Sequence, residues 1–362
     1  MELQTFIQTT PDYLKELKKQ NVYVRNYSKL NLAIVKCHVN QRYDYQNNPW
    51  LRYCRGAVIN TNTNMLVCVP PSKAIREENL KTLTDTFSEE NEYQPLIEGT
   101  MINVFYHNDE WMISTRSNIG AKNYWDGKTP FYEMFMESIP NNDWLNELSK
   151  DCCYSFVLIH HKNRIVCPVN MDSVYQIECH KMGKTIEPQP LSDINGIYNN
   201  ITLNRDTLKN YNGELPFVFK GFTIKKKGLP RINWINPNYS YVNNLKMNHN
   251  DKFLNYISLR QNNLLKEYLK FFPEDGFLFN DYRTKFNSIK FELHESYLDV
   301  FVRKEKTKDD VNYALRPLIY KLHKYYNEDR KKNVVTSKVV NDYLHNLPGK
   351  KIMFICNYLF QK

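Results

Sequence analysis

The last third of the chain carries apolar side chains at helical spacing. Apolar residues recur every three or four positions in two runs. The first run is Leu278, Tyr282, Phe286, Ile289, Leu293, Tyr297 and Phe301, and the second is Val311, Leu315, Leu318, Leu322 and Tyr325. This spacing places apolar side chains on one face of a helix, so it predicts two amphipathic helices whose aromatic side chains belong to the core. Shorter helices are predicted at residues 252–259, 264–271 and 337–347.

The first two thirds of the chain show the alternation and the turn residues that are typical of strands. Three hairpins are predicted, pairing residues 53–61 with 65–69, 96–106 with 110–115, and 154–161 with 164–169. Further strands are predicted at 174–179, 217–226 and 231–235, and helices at 131–137 and 11–19, the latter with Thr10 as its N-cap. The pattern therefore predicts an α+β fold with antiparallel sheets over residues 1–245, followed by an all-helical C-terminal domain over residues 246–362.

Length and composition exclude several classes of protein. The 362 residues suffice for two domains, and no run of about 18 apolar residues predicts a membrane span. The N-terminus lacks the apolar stretch of a secretory signal. The eight cysteines form no C-x-x-C pair, which favours reduced thiols over a disulfide framework or a zinc site. We therefore expect a cytoplasmic protein without a membrane partner.

The net charge of +10 is unevenly distributed. Residues 241–362 contain 22 Lys and Arg against 14 Asp and Glu, a balance of +8, whereas the first 240 residues contain 27 against 25, a balance of +2. Basic surface attracts polyanions, so nucleic acid is the first candidate partner, and a solvated surface that keeps the protein soluble is the alternative. The lysine run at 225–227 is predicted either as a solvated turn or as one side of a basic groove.

Short motifs follow one another in a fixed order between residues 54 and 239. They are Cys54-Arg55-Gly56-Ala57-Val58, Pro70-Pro71-Ser72-Lys73, Leu96-Ile97-Glu98-Gly99-Thr100, Trp111-Met112-Ile113-Ser114-Thr115-Arg116, Ile119-Gly120-Ala121, Phe156-Val157-Leu158-Ile159-His160, Asn163-Arg164-Ile165-Val166, Lys220-Gly221-Phe222-Thr223-Ile224 and Arg231-Ile232-Asn233-Trp234-Ile235-Asn236-Pro237-Asn238-Tyr239. This series resembles the phage-type RNA ligases and their relatives in large DNA viruses, which belong to the covalent nucleotidyltransferase superfamily. The resemblance implies an RNA ligase-like nucleotidyltransferase domain, and a viral member would act in the cytoplasm, in a viral factory of an infected host cell.

The same resemblance implies that the reactive groups are replaced. In the family, a lysine in a K-x-[D/E]-G motif attacks the α-phosphate of ATP, acidic residues hold a metal, and a K-x-K pair neutralises the phosphates. The matching positions here are Leu96, Ile159, Lys220, Asn233 and Ile235. Leucine has no lone pair with which to form a phosphoramidate, so no catalytic residue is expected.

Other positions keep the residues of the family and define an expected binding site. The resemblance implies that Arg55 contacts a nucleotide and that Glu98 holds its ribose. The full set of expected binding residues is Arg55, Lys73, Glu98, Arg116, Lys220 and Arg231. An ordinary structural ion pair between Arg55 and Glu98 is the alternative.

These observations predict a pseudoenzyme that binds RNA, an RNA 5′ end or cap, or a nucleotide, without covalent catalysis and without a cofactor. Two alternatives stay open. An active ATP-dependent RNA ligase with a displaced lysine would need ATP and Mg²⁺, and a structural or assembly protein would bind a protein partner through its helical domain. No metal site is predicted, because the adjacent His160 and His161 would face opposite sides of a strand.

Overall fold

The computed structural model of the protein describes residues 1–38, 41–80, 83, 87–125, 128–141, 143–209, 214–226, 228–246 and 251–360. Internal contacts divide the chain into two units, Met1–Tyr241 and Val242–Lys362. Among the described residues, all strands belong to the first unit, where three sheets form mainly by antiparallel pairing, and the second unit is helical. The predicted α+β fold with antiparallel sheets and a helical C-terminal part is confirmed.

The first sheet has four antiparallel strands in chain order. They are β1 Val22–Tyr27, β2 Leu32–Cys37, β3 Arg55–Asn60 and β4 Met65–Cys68. The side chains of β2 and β3 are almost all buried, which explains why these strands show an apolar run rather than strict alternation. The predicted hairpin of β3 with β4 is confirmed.

Two helices precede this sheet and share its core. They are α1 Glu2–Thr9 and α2 Tyr13–Lys19, which bury Leu3, Ile7 and Leu17 against it. The helix predicted at residues 11–19 is observed as α2, but the prediction of Thr10 as its N-cap was wrong, and α1 was not predicted. Thr10 ends α1 instead, and its N–H bonds to a carbonyl of that helix.

The second sheet places six strands around a buried centre. They are β7 Thr100–His107, β8 Glu110–Ser114, β9 Cys152–Ile159, β10 Ser173–Lys181, β11 Glu187–Gln189 and β12 Tyr198–Asn199. The order is β11-β10-β9-β7-β8, with β12 beside β10, and the helix α3 Phe131–Glu137 packs on the sheet. The β7–β8 hairpin and α3 are confirmed.

The predicted hairpin of residues 154–161 with 164–169 was wrong, because β9 pairs with β10 instead. The N–H groups of Val166 and Cys167 both donate to the carboxylate of Glu98. Since each amide offers a single donor, these groups are not available for a strand ladder. Residues 160–172 therefore form a loop between β9 and β10.

The third sheet joins segments that are far apart in the chain. Its strands are β5 Ile75–Glu77, β6 Glu92–Pro95, β13 Gly221–Lys225 and β14 Ile232–Ile235, in the order β5-β14-β13-β6. The short helix α4 Arg205–Lys209 contributes Leu208 to its core. The pair of β13 with β14 lies within the predicted strands, whereas β6 was not predicted.

Residues 96–99 were expected inside a strand, but they cross from the third sheet to the second. Gly99 allows this crossing, because a Cβ on it would lie 2.2 Å from the carbonyl oxygen of Leu158. The segment that the resemblance identifies with the nucleophile motif therefore connects two sheets.

The second unit is built from helices with aromatic cores. After α5 Pro237–Lys246, which spans the division between the units, come α6 Lys252–Gln261, α7 Leu265–Phe271, α8 Gly276–Tyr297, α9 Arg316–Glu328, α10 Ser337–His345 and α11 Gly349–Phe360. Of the aromatic positions predicted for the core, Phe286 and Tyr297 are buried, Tyr282 and Phe301 are half-buried, and Tyr325 is exposed. The run from Val311 was predicted as one helix, but α9 begins later, at Arg316, because Pro317 fits only the first turn of a helix. None of the described helices combines the length and the apolarity that a membrane crossing requires.

Candidate functional site

A cavity of about 200 Å³ lies where the three sheets of the first unit meet. Seven positions that the motifs single out line it, namely Arg55, Leu96, Arg116, Lys220, Arg231, Asn233 and Ile235. They come from four stretches of sequence spread over 180 residues, and the sheet order brings them together. Lys73, Glu98 and Ile159 lie outside the lining.

Two arginines face the cavity without a protein partner. Neither the guanidinium of Arg55 nor that of Arg116 forms a hydrogen bond or an ion pair with the described part of the chain. Burial, followed by the charges of Arg116 and Arg231, lowers the pKa of Arg55 to about 9, so this side chain stays cationic at neutral pH. Arg116 remains accessible to solvent, and surrounding protein atoms together with Arg231 lower its pKa as well.

Gly56 explains how the two arginines are brought together. Its φ is +107°, and a Cβ on it would lie 2.6 Å from the Cα atom of Arg116. The backbone of Arg116 therefore packs directly on the residue after Arg55, which a side chain at position 56 would prevent. The Arg-Gly pair of the sequence thus has a steric reason in this structure.

Lys220 lies next to the segment that carries Leu96. Its ammonium donates to the carbonyl oxygen of Ile97 at 3.4 Å and lies 6.0 Å from the ring centre of Tyr239. Burial lowers the pKa of Lys220, the charge of Glu98 opposes this effect, and the charge of Arg116 adds to it. The amine therefore loses its proton more readily than that of an exposed lysine.

The remaining cations of the cavity are held by the protein. Arg231 donates to the carbonyl oxygen of Ser72 at 2.7 and 3.1 Å and to Glu178 at 3.0 Å, and Lys225 lies 3.5 Å from the same carboxylate. Burial disfavours the charge of Glu178, but the two cations outweigh it and lower its pKa. Arg231 and Lys225 therefore stabilise the sheets, and their charges are largely compensated.

The lysine run does not form one continuous groove. Lys225 lines the cavity, whereas Lys226 pairs with Glu90 at 3.3 Å. Lys227 lies outside the described residues.

Glu98 lies beside the cavity and binds a loop through one oxygen, whereas its other carboxylate oxygen is buried without a hydrogen-bond partner. One oxygen of its carboxylate accepts from the N–H groups of Val166 and Cys167, each at 2.9 Å. The structure shows no ion pair between Arg55 and Glu98, so the alternative of a structural pair was wrong. Burial and the nearby charge of Glu98 raise the pKa of the Cys167 thiol to about 12. Glu98 therefore fixes the loop of residues 160–172.

Two further predicted positions lie at the margin of the site. Lys73 is exposed, and its pKa is lowered by burial and by the charges of Arg55 and Arg116, which places it close to both arginines. Ile159 is the last residue of β9, and it is Val157 of that strand that lines the cavity.

The chemistry of the lining favours an anion over a metal ion. Of the described residues that line the cavity, none carries a carboxylate, the group through which proteins usually bind Mg²⁺. The amide oxygens of Asn200 and Asn233 are buried without a hydrogen-bond partner. Two unpaired guanidinium groups and these two acceptors suit a phosphate that is attached to a group with N–H or O–H donors.

The sequence analysis missed a cluster of histidines beside the cavity loop. The rings of His160 and His161 stack at 4.5 Å, and each ring has a nitrogen within 3.3 Å of Asp172. The prediction that they face opposite sides was wrong, because β9 ends at Ile159 and a tight turn begins at His161. The strand rule therefore no longer applies at this point.

Comparisons with known proteins identify no family for this chain. No family model matches the sequence, and no curated protein matches it. Among solved structures, a putative ATP-dependent DNA ligase from Aquifex aeolicus is similar with a TM-score of 0.44 and 13% identity, over 88% of this chain and 81% of that one. Two forms of an archaeal ATP-dependent RNA ligase give TM-scores of 0.44 and 0.41 at 12% and 11% identity, over 67% and 69% of this chain and 66% and 69% of theirs.

Proposed function

We propose that this protein is an RNA ligase-like protein that binds a phosphate-bearing RNA end, or a nucleotide, in the cavity without forming a covalent adenylate. The observation that carries the proposal is the pair of unpartnered guanidinium groups of Arg55 and Arg116 in a cavity whose described lining has no carboxylate. Leu96, at the position of the family's lysine, contributes no nucleophile.

Electrostatics supports an anionic ligand. The charge of Arg116 contributes to the reduced pKa of Arg55, because two positive charges repel each other at close range. A phosphate between them would remove this repulsion and accept paired hydrogen bonds from each planar guanidinium. The volume of about 200 Å³ is smaller than that of sites for drug-sized ligands, which span about 300–1,000 Å³, so it suits an end group rather than a long stretch of RNA.

The direct test compares one short RNA with four 5′ ends: hydroxyl, monophosphate, triphosphate and methylated cap. At about physiological salt, where non-specific attraction is screened, we expect the phosphate-bearing ends to bind roughly tenfold or more tightly than the hydroxyl end. Fluorescence anisotropy with 3′-labelled RNA measures this preference. Equal, weak binding of all four ends that added salt abolishes would contradict the proposal.

A second candidate function is favoured by the position of Lys220. Its amine has a lowered pKa and lies 3.4 Å from the carbonyl oxygen of Ile97, in the cavity that Leu96 also lines. Lysines that burial and neighbouring cations make less basic are typical covalent nucleophiles. As the displaced nucleophile of an active ligase, the neutral amine of Lys220 would attack the α-phosphate of a nucleoside triphosphate. An N–P bond would form as the bond to pyrophosphate breaks, and the amine would lose a proton to solvent.

Intact mass spectrometry separates the two candidates. After incubation with ATP or GTP and either Mg²⁺ or Mn²⁺, we expect no covalent nucleotide on the protein, because the described lining provides no carboxylate for the metal ion. A nucleotide adduct that disappears in Lys220→Met and in Lys220→Arg would instead establish the second candidate. Lys225→Met, at a lysine held by Glu178, is the matched control.

A further inference from the structure

Two histidines and two carboxylates converge at the base of the loop of residues 160–172. The Nε2 atom of His160 lies 3.3 Å from an Asp172 oxygen and 3.2 Å from a Glu137 oxygen, and the Nδ1 atom of His161 lies 2.7 Å from the same Asp172 oxygen. The ligand atoms of His160, His161 and Asp172 all lie within 4.8 Å of one another. Ligand atoms around a tetrahedral ion with bonds of about 2.0–2.2 Å lie about 3.3–3.6 Å apart. The His160–Asp172 separation of 3.3 Å fits this spacing, and the His161–Asp172 separation of 2.7 Å would have to widen.

The fold holds these groups in place from three directions. His160 and His161 follow β9, Asp172 precedes β10, and Glu137 ends α3. The side chain of His160 is fully buried, so its Nε2 atom can reach only the groups of this cluster. The other oxygen of Asp172 accepts the N–H of His161 at 2.7 Å and fixes the orientation of the carboxylate.

We propose that His160, His161 and Asp172 bind a divalent ion of the first transition row, with zinc as the expected occupant and water at the open position. Two imidazoles and one carboxylate suit Zn²⁺, Co²⁺ or Ni²⁺, whereas Mg²⁺ and Ca²⁺ prefer oxygen ligands alone. The proposal concerns a site outside the cavity lining and does not depend on the proposed function.

Several contacts have to change when the ion binds. The hydrogen bond of 2.7 Å between the Nδ1 atom of His161 and Asp172 has to open, because a nitrogen that binds the ion carries no proton. The Nδ1 atom of His160 accepts the N–H of Lys162 at 3.1 Å, and a metal on Nε2 favours a proton on Nδ1 instead, so the turn at residues 161–163 must move this amide away. The ammonium of Lys162 lies 2.9 Å from the Glu137 carboxylate and competes with the ion for negative charge. The ion would thus displace the hydrogen bond from the Lys162 N–H to His160 and would compete with the Lys162 ammonium for the nearby carboxylates.

The loop connects this site to Glu98. Its ends carry the proposed ligands, and Val166 and Cys167 in its middle hold the Glu98 carboxylate. The side chain of Asn163 also donates to Thr100, two residues beyond Glu98. An ion at the base of the loop is therefore expected to slow hydrogen exchange of peptides that cover residues 160–172.

Titration of the chelator-treated full-length protein with Co²⁺, followed by visible absorption, tests the proposal. We expect one equivalent to bind, with the absorption of a low-symmetry site and with displacement by Zn²⁺ but not by Mg²⁺. His161→Gln and Asp172→Asn should each weaken binding by about a hundredfold or more, since even changes behind the ligands cost about 10–100-fold. Lys162→Met should bind severalfold more tightly, because the competing cation is gone.

These variants distinguish the loss of a metal ligand from a loss of folding. Asp172→Asn retains an oxygen for the N–H of His161, and His38→Gln removes an exposed imidazole elsewhere as the matched control. Failure of the wild-type protein to bind Co²⁺ would overturn the proposal. Binding that His161→Gln and Asp172→Asn leave unchanged would overturn it as well.

Discussion

Replacing Arg55 and Arg116 together by glutamine is expected to weaken the binding of 5′-phosphorylated RNA by roughly a hundredfold or more. A hydrogen bond to a charged group contributes about 1.5–3 kcal/mol, and each arginine would lose at least one such bond. The slope of log affinity against log salt should also fall by about 0.7 for each phosphate of the single-stranded RNA that the variant no longer neutralises. Anisotropy titrations at several salt concentrations measure both quantities.

The matched control is a variant of the same first unit with the same change of net charge. Arg25→Gln with Arg76→Gln removes two exposed arginines that do not line the cavity. We expect this variant to keep its preference for the phosphorylated end and to lose only a small part of its affinity. If both double variants weaken binding equally, general charge attracts the RNA, and the cavity is not its binding site.

Arg231 is a poor choice for such a test, although the motifs predict it as a binding residue just as they predict Arg55 and Arg116. Its guanidinium already binds the carbonyl of Ser72 and the carboxylate of Glu178. Removing it would leave Glu178 with less compensation in a buried position, and destabilisation would be mistaken for weaker binding. The free arginines are the ones whose loss leaves no protein group unpaired.

Substitution of Gly221 by alanine is expected to lower the free energy of unfolding of the first unit by about 3 kcal/mol or more. Gly221 has a φ of +138°, and a Cβ on it would lie 2.1 Å from the carbonyl oxygen of Trp234 and 3.0 Å from the Cα atom of Ile235. Backbone strain contributes about 1–3 kcal/mol, and the forced separation of β13 from β14 contributes a similar amount. Because Gly221 directly follows Lys220, the same change should distort the cavity.

Tryptophan fluorescence during urea unfolding measures the free energy of unfolding of the first unit. All five tryptophans, at positions 50, 111, 125, 144 and 234, belong to Met1–Tyr241. Gly228→Ala is the control, since φ there is +77° and no atom lies within 4 Å of the added Cβ, so only the strain of about 1–2 kcal/mol applies. Equal losses of stability in the two variants would show that the close approach of Trp234 does not restrict this position.

The local sequence pattern predicted the elements that are stabilised by contacts between residues close together in the chain. The helices α6 to α10 follow from apolar spacing, whereas α11 was not predicted. The β3–β4 and β7–β8 hairpins follow from turns at residues 60–65 and 107–110. The pattern failed where a group far away in the sequence determines the hydrogen bonding of the backbone. Residues 164–169 look like a strand, but Glu98, far away in the sequence, takes their N–H groups.

The motifs indicated which residues share a site but not what each one does there. Arg55, Arg116, Lys220 and Arg231 are equally basic in the sequence, yet the first two are free, the third is half-buried and donates to Ile97, and the fourth is bound to Glu178. Glu98 was expected to hold a ribose, and the structure adds a contact that the motifs did not indicate, from one of its carboxylate oxygens to a loop. These roles depend on the direction of each side chain, which spacing along the chain does not contain.

The sequence by itself determined the α+β class and the helical second unit, because periodicity is a local property. Only the tertiary structure decided which charges are compensated and where His160, His161 and Asp172 meet. Whether a charge is compensated, and whether possible metal ligands meet, depends on distances of a few ångströms between residues that are not neighbours in the chain. Those distances are set by the order of the strands and by close backbone contacts at Gly56, Gly99 and Gly221.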